Sequence, residues 1–551
     1  MFSFILLFFA FVGNATAFYL PGVAPHDYRE GDPVELVVNS LTPIIGPNTQ
    51  QLKSVIPYDY YHEQLHFCLP TVKEGQSESL GSILFGDRIF NSPYELRMLQ
   101  EQHCSVLCQV TVPQKDAKFI NDRIRENYAI NWLIDSLPAA RSKTDPRSGE
   151  QFYSIGFELG DQQNHQTRPQ LYNHYQIKIE YHTQDNIHYR VVGVLVTPKS
   201  KKTTLSKNET NCETKEQLTL NENTDNTIVY TYDVEWAPSD KAWATRWDSY
   251  LHVFDPKIHW FSLVNSIVIV LFLTGMVAMI LLRALHKDIS RYNQIDAQLV
   301  HGDVFRPPTN TMLLAVLLGS GAQLFFMTAV TLVFAVLGFL SPSNRGSLAT
   351  VMIILYMLFA SVSGYVSARV YKMFGGESWR KNVFLTAFLF PLLIFSIFVF
   401  LNFFLVSVKS SGAVPAPTLF IIIALWFLIS VPLSLIGSFF GFKKPRIEHP
   451  VRTNQIPRQI PDQVFYLRPI PSLLMGGVLP FGAIFIELYF IMSSIWGSKV
   501  YYLFGFSSLV FVVLTITCSE VTILLCYFHL CAEGRLGISR VWYSLEEYSK
   551  V

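Results

Sequence analysis

"IHWFSLVNSIVIVLFLTGMVAMILLRALHKDISRY", residues 258–292, decides what kind of protein this is. From Trp260 to Leu282 it carries no charged side chain. A helix rises about 1.5 Å per residue, so a run of this length crosses the roughly 30 Å hydrocarbon layer of a bilayer. Arg283, Lys287 and Arg291 follow at once, the pattern of a span that emerges in the cytosol.

Working outward, the apolar segments lie near 260–282, 312–340, 347–368, 382–406, 418–440, 473–495 and 501–530. Each is long enough to span, some with tilt. The 551-residue chain is half hydrophobic and only 15% charged, where a soluble protein averages roughly 25% charged. A net charge of +1 removes the basic face that a nucleic-acid partner would require. Membrane lipid is the expected solvent for this chain.

Upstream, Phe2 to Val12 form the apolar core of a secretory signal, and cleavage is expected after Ala17. An N-terminus in the lumen sends odd-numbered spans toward the cytosol. The cytosolic connections then hold fourteen Lys and Arg residues, and the lumenal ones only Arg345, Lys409 and Lys499. That asymmetry obeys the positive-inside rule. The expected divisions are 1–17 signal peptide, 18–257 ectodomain, 258–530 membrane domain and 531–551 cytosolic tail.

Period-2 alternation in "YNHYQIKIEYHT", "HYRVVGVLVTP" and "TIVYTYDVEWAP" predicts strands and an antiparallel, sandwich-like lumenal domain. "DAKFINDRIRENYAINWLIDSL" (116–137) reads as a helical insertion, and the polar stretch 200–227 as a mobile loop carrying a glycosylation candidate at Asn208. Cys68, Cys104, Cys108 and Cys212 fall in an oxidising compartment and are disulfide candidates; four cysteines allow three pairings.

"HEQLH" (62–66) matches the zinc-peptidase pattern H-E-x-x-H, which works only on a helix that puts both imidazoles on one face. Here it lies between Pro57 and Pro70 in a stretch that reads as extended, so a surface strand is the plainer interpretation. No catalytic residue, metal site or cofactor is expected. Glu487 and Glu520 lie inside apolar segments, where a carboxyl needs a partner, a proton or water. They suit either an ion path or helix recognition on one side, or a packing role on the other. Asn265, Gln323 and Asn402 read as interhelical hydrogen-bonding residues. Pro391, Pro432 and Pro480 should bend helices where neighbours serve the freed carbonyls. The basic connection 441–472 has Pro at 445, 450, 457, 461, 469 and 471, a rigid and readable shape for coat or sorting proteins.

Several segments resemble the nonaspanins, the transmembrane 9 superfamily. They include "FYLPGVAP", "LFGDRI" (84–89), "WATRWDSYL" (243–251), "LVHGDVFRPP" (299–308), "LPFGAIFIELYFI" and "CSEVTILLCYFHLCAE". The most specific is the loop motif around His449, Pro450, Arg452, Asn454, Pro457, Arg458 and Pro461. The resemblance implies a polytopic α-helical membrane protein with an N-terminal β-rich, sandwich-like lumenal domain. It implies residence in Golgi and endosomal membranes and a non-enzymatic part in sorting and surface localisation of other transmembrane proteins, including cargo with glycine-rich helices. Seven spans are expected here where the family has nine. The sequence after Glu533 departs from the family, as expected of a truncated or alternatively spliced C-terminus. A seven-helix receptor and a transporter using Glu487 and Glu520 are the alternative readings.

Overall fold

The computed structural model describes residues 25–43, 56–144 apart from position 77, 151–162, 169–203, 216–250, 256–292, 310–340, 346–448, 469–496 and 500–531, with a few isolated positions between. Ala17, Asn208, residues 449–461 and the tail beyond Cys531 lie outside the described residues. The chain forms two compact units, one of them N-terminal and β-rich, the other helical.

The main strands of the N-terminal unit are β1 (Leu36–Val38), β2 (Gln102–Val112), β3 (Tyr128–Ile130), β4 (Trp132–Ile134), β5 (Ala140–Thr144), β6 (Gln151–Ile155), β7 (His174–Thr183), β8 (Tyr189–Lys199) and β9 (Asn226–Pro238). Six of them form one sheet in the order β6-β5-β8-β7-β9-β2. The expected antiparallel arrangement needs correcting. The β7–β8 hairpin is antiparallel, but β9 returns beside β7 in parallel, and β5 meets β8 in parallel. β8 returns the chain to the end of the sheet where β7 begins, so β9 can start there and run parallel to β7.

The three alternating segments do form β7, β8 and β9. On β7, Tyr175, Ile177 and Ile179 point inward, as do Ile228, Tyr230, Val234 and Trp236 on β9. A smaller sheet containing β1 and β4 contributes Trp132, whose ring meets Tyr175 at 4.9 Å, Phe157 at 4.8 Å and Tyr94 at 4.8 Å. Burying rings of this size is the largest favourable term in such a core.

Helix α2 (Gln114–Arg125) is shorter than the sequence suggested. Asn127 adopts a left-handed φ of 58° and its N–H bonds to the Ile124 carbonyl, which closes the helix. "YAINWLI" then forms β3 and β4, both wholly buried. A continuous apolar run has no period of its own, so only the sheet partners could identify it.

The stretch 200–227 is not the mobile loop expected, as far as it is described. Cys212 is bonded to Cys104, Leu218 donates its N–H to Ser200, and Leu220 is buried. A short helix, α1 (Leu80–Leu84), belongs to the same unit.

The connection segments 337–350 and 399–418 also belong to the N-terminal unit. Arg88 donates to the Ala413 carbonyl at 2.7 Å, and Ser410 and Ser411 both donate to the Pro57 carbonyl. The Gly81 N–H reaches Thr350 Oγ1 at 3.1 Å. Gly346 has φ +71° and sits so close to Ser82 that a Cβ would overlap its backbone. "LFGDRI" and its neighbours therefore fasten these two connections.

The helices are α3 (Pro256–Tyr292), α4 (Thr311–Val336), α5 (Ser347–Leu358), α6 (Ala360–Met373), α7 (Trp379–Ser407), α8 (Ala416–Leu425), α9 (Val431–Lys443), α10 (Pro469–Trp496) and α11 (Val500–Cys531). Pairs α5–α6 and α8–α9 each make one span, so six spans are long and apolar enough to cross a membrane among the described residues. Helix α10, with 28 residues, adds a shorter apolar stretch, Leu474–Tyr489. A π-turn at Trp426–Ser430 joins α8 to α9, just ahead of Pro432.

Within the helical unit α6 lies against α9 and α4, and α10 and α11 pack together beside α3. The α6–α9 seam needs glycine. A Cβ on Gly364 would overlap the Ser434 carbonyl, and one on Gly437 the Ser361 carbonyl. Lipid tails are as apolar as leucine, so close backbone approach and buried hydrogen bonds hold such helices together. Ser367, Asn382 and Thr386 form one buried hydroxyl and amide cluster between α6 and α7.

Pro391 inside α7 has no N–H to offer the Ala387 carbonyl four residues earlier. The indole N–H of Trp426, in the π-turn, donates to that carbonyl at 3.3 Å. A freed carbonyl at membrane depth is thus served by a neighbouring span.

Candidate functional site

The two intramembrane carboxyls stand on adjoining helices, Glu487 on α10 and Glu520 on α11, and both meet hydroxyls from α3. Ser266 donates to Glu487 Oε1, and Thr274 contacts Glu520 Oε1. Ser266, Val270 and Val277 form the buried side of α3, with Thr274 at its exposed edge. Val270 closes the space between the two polar contacts together with Ile484, Val510 and Val513.

The carboxyls differ in setting. Glu487, on α10, is 1% exposed and meets Ser266 of α3. Such a group fixes helix register, because any rotation of α10 would leave it in hydrocarbon. Glu520 is half-buried and its Thr274 partner is exposed. The Thr274 hydroxyl also lies 2.8 Å from its own Val270 carbonyl.

Gly275, next to Thr274 in the chain, has open space where a Cβ would stand; elsewhere on α10, Gly477 and Gly482 do as well. These glycines contrast with Gly364 and Gly437, which are used up in internal packing. The surface at Thr274, Gly275 and Glu520 therefore offers polar groups beside a backbone that another helix can approach closely.

Of the remaining sequence candidates, Cys68 is joined to Cys108 and Cys104 to Cys212. Gln323 donates to the Tyr356 carbonyl, Asn402 exchanges hydrogen bonds with Val414, and Asn265 is exposed. The "HEQLH" stretch is neither helix nor the extended strand expected; it is a turn, with His66 at φ 53°. His62 stacks on Phe119, while His66 bonds to Asp116 at 2.7 Å. The two imidazoles thus serve separate neighbours. Gln64 also reaches Asp116, which explains the turn. Among the described residues, no group of three or more His, Cys, Asp or Glu side chains could hold a metal.

A second constellation went unremarked in the sequence. Arg246, from "WATRWDSYL", is 2% exposed and bonds Asp135 at 2.8 Å, the Val191 carbonyl at 3.0 Å and the Asp135 carbonyl at 3.3 Å. Tyr28 also donates to Asp135. Burial nonetheless pushes the Asp135 carboxyl up, with Arg246 opposing. Only the sequence distance of 111 residues hid the pair.

The family model for endomembrane protein 70 matches residues 57–542. The chain belongs to the transmembrane 9 superfamily. It is 47% identical to transmembrane 9 superfamily member 1 of Saccharomyces cerevisiae, over 96% of this chain and 87% of that protein. Member 8 of Arabidopsis thaliana is 45% identical, with 96% and 85% covered, and human member 2 is 45% identical, with 94% and 83% covered. It is thus a multi-pass membrane protein of this superfamily, with the β-rich N-terminal region and apolar helices described above.

Proposed function

We propose that this protein is a non-enzymatic sorting factor that recognises transmembrane helices of other membrane proteins and assists their delivery to the cell surface. The observation that carries the reading is the Thr274–Glu520 pair, half-open at the side of α3 and α11 and next to the uncovered backbone at Gly275. A cargo helix with glycines or hydroxyls can approach such a surface closely and exchange hydrogen bonds with it. Superfamily membership supports work in Golgi and endosomal membranes.

The orientation proposed is a lumenal N-terminal domain. That domain fastens segments 337–350 and 399–418, which join spans and carry few basic residues, so all three share one side of the membrane. The basic connections, including the motif from His449 to Pro461, then face the cytosol and its coat or sorting proteins.

The test replaces Thr274 by Val and Glu520 by Gln in the full chain. Interhelical hydrogen bonds in membranes contribute about 0.6–1.7 kcal/mol, so cargo co-precipitation should fall about threefold to twentyfold. Surface delivery of that cargo should fall with it, while bulk secretion continues. Cargo association unchanged in a variant of normal abundance would sink the proposal.

A further inference from the structure

Seven cations gather at one end of α6, α7 and α9: Arg369, Lys372, Arg380, Lys381, Lys443, Lys444 and Arg446. Most of those on α6 and after α9 are already engaged. Arg369 donates to the Pro445 carbonyl at 2.6 Å, Lys372 to the Phe442 and Lys444 carbonyls, and Arg446 to the Met373 carbonyl. They tie the ends of α6 and α9 together, as cations at helix C-termini do.

Arg380 and Lys381 differ. Both are exposed, and no ion pair among the described residues includes them. With Phe384 and Leu385, one turn further into α7, their aliphatic stems line a shallow, open and mostly apolar groove of about 360 Å³, with the charged ends at its rim. The i,i+4 spacing sets each cation over an apolar partner on the same face. Phe384 is 61% exposed and Trp379, at the helix start, is 55% exposed with Arg380 5.3 Å from its ring. The groove thus runs from a charged, aromatic rim into the hydrocarbon-facing surface of a membrane span.

We propose that this groove is a binding site for an anionic phospholipid. The phosphate lies against Arg380 and Lys381, and an acyl chain lies along Phe384 and Leu385. A soluble anion would use only the upper half of such a groove, and a neutral lipid only the lower half. The neighbouring cations raise the local positive potential, and each basic group near an anionic headgroup contributes measurably to retention. The site is separate from the α3–α11 face and stands or falls independently of cargo recognition.

The test uses the full chain, stripped of lipid in detergent and titrated with phosphatidylserine or phosphatidylcholine, the bound lipids being counted by native mass spectrometry. The intact protein should retain phosphatidylserine in preference. R380A/K381A should lower that retention about tenfold or more, and lower that of phosphatidylcholine, whose phosphate is offset by its choline cation, far less. F384A should weaken both lipids, and R283A, on α3, should change neither. Soluble glycerophosphoserine should fail to displace the bound lipid. Equal retention of the two lipids by the intact protein would overturn the proposal, as would R380A/K381A protein of normal thermal stability that keeps its preference. Full displacement by glycerophosphoserine would also overturn it, since the acyl chain would then contribute nothing.

Discussion

Replacing Arg246 by Met tests the reading of the N-terminal unit most directly. The guanidinium is 2% exposed and makes three hydrogen bonds, two of them to Asp135. The Met side chain fills much of the volume but leaves the Asp135 carboxylate, whose side chain is 12% exposed, with Tyr28 as its remaining side-chain partner. Breaking a buried pair from one side destabilises by about 3–5 kcal/mol, and for a unit of this size that lowers the melting temperature by about 6–20 °C. Thermal unfolding of the purified full-length protein, followed by tryptophan fluorescence, measures it.

Two further arms separate the charge from the packing. Burial already raises the Asp135 carboxyl, and loss of Arg246 raises it further. The folded state then holds the proton more tightly than the unfolded state, so stability falls as pH rises. The defect in the Met variant should therefore shrink on acidification. Adding Asp135→Asn should recover much of the loss, because no buried charge is left unpaired. A loss below about 1 kcal/mol, or an equal loss at every pH with no recovery in the double variant, refutes the reasoning.

Two other outcomes follow from the structure. Trp426→Phe keeps the ring but removes the indole donor to the Ala387 carbonyl, and should lower stability in detergent by about 1–3 kcal/mol; Pro391→Ala restores a local N–H, so in that background the same change should matter little. His174 is fully buried between Thr231 and Asp233, and burial holds its imidazole below the usual range. Stability should fall as pH drops below about 6.5, where only the unfolded chain takes up the proton. His174→Gln should flatten that slope in thermal melts at a series of pH values, whereas an unchanged slope would assign it to other groups.

Membrane character, six of the seven apolar spans and the strands β7, β8 and β9 were legible because each depends on local pattern. Span length follows from bilayer thickness, and alternation follows from the pleat. Residues 128–134 were misread because a fully buried strand shows no alternation. The 200–227 stretch was misread because its anchors, Cys104 and Asn173, lie far away in sequence.

The intramembrane site divides in the same way. Glu487 and Glu520 could be picked out by position alone, since a carboxyl among apolar residues demands an explanation. That both meet α3, and that one is enclosed while the other stands half-open, depends on helix rotation and packing, which hydropathy does not encode. The sequence by itself determined the solvent each segment must face, because burial of apolar surface is a property of the residues. Only the tertiary structure decided which polar groups meet, because hydrogen bonds between distant segments depend on three-dimensional approach.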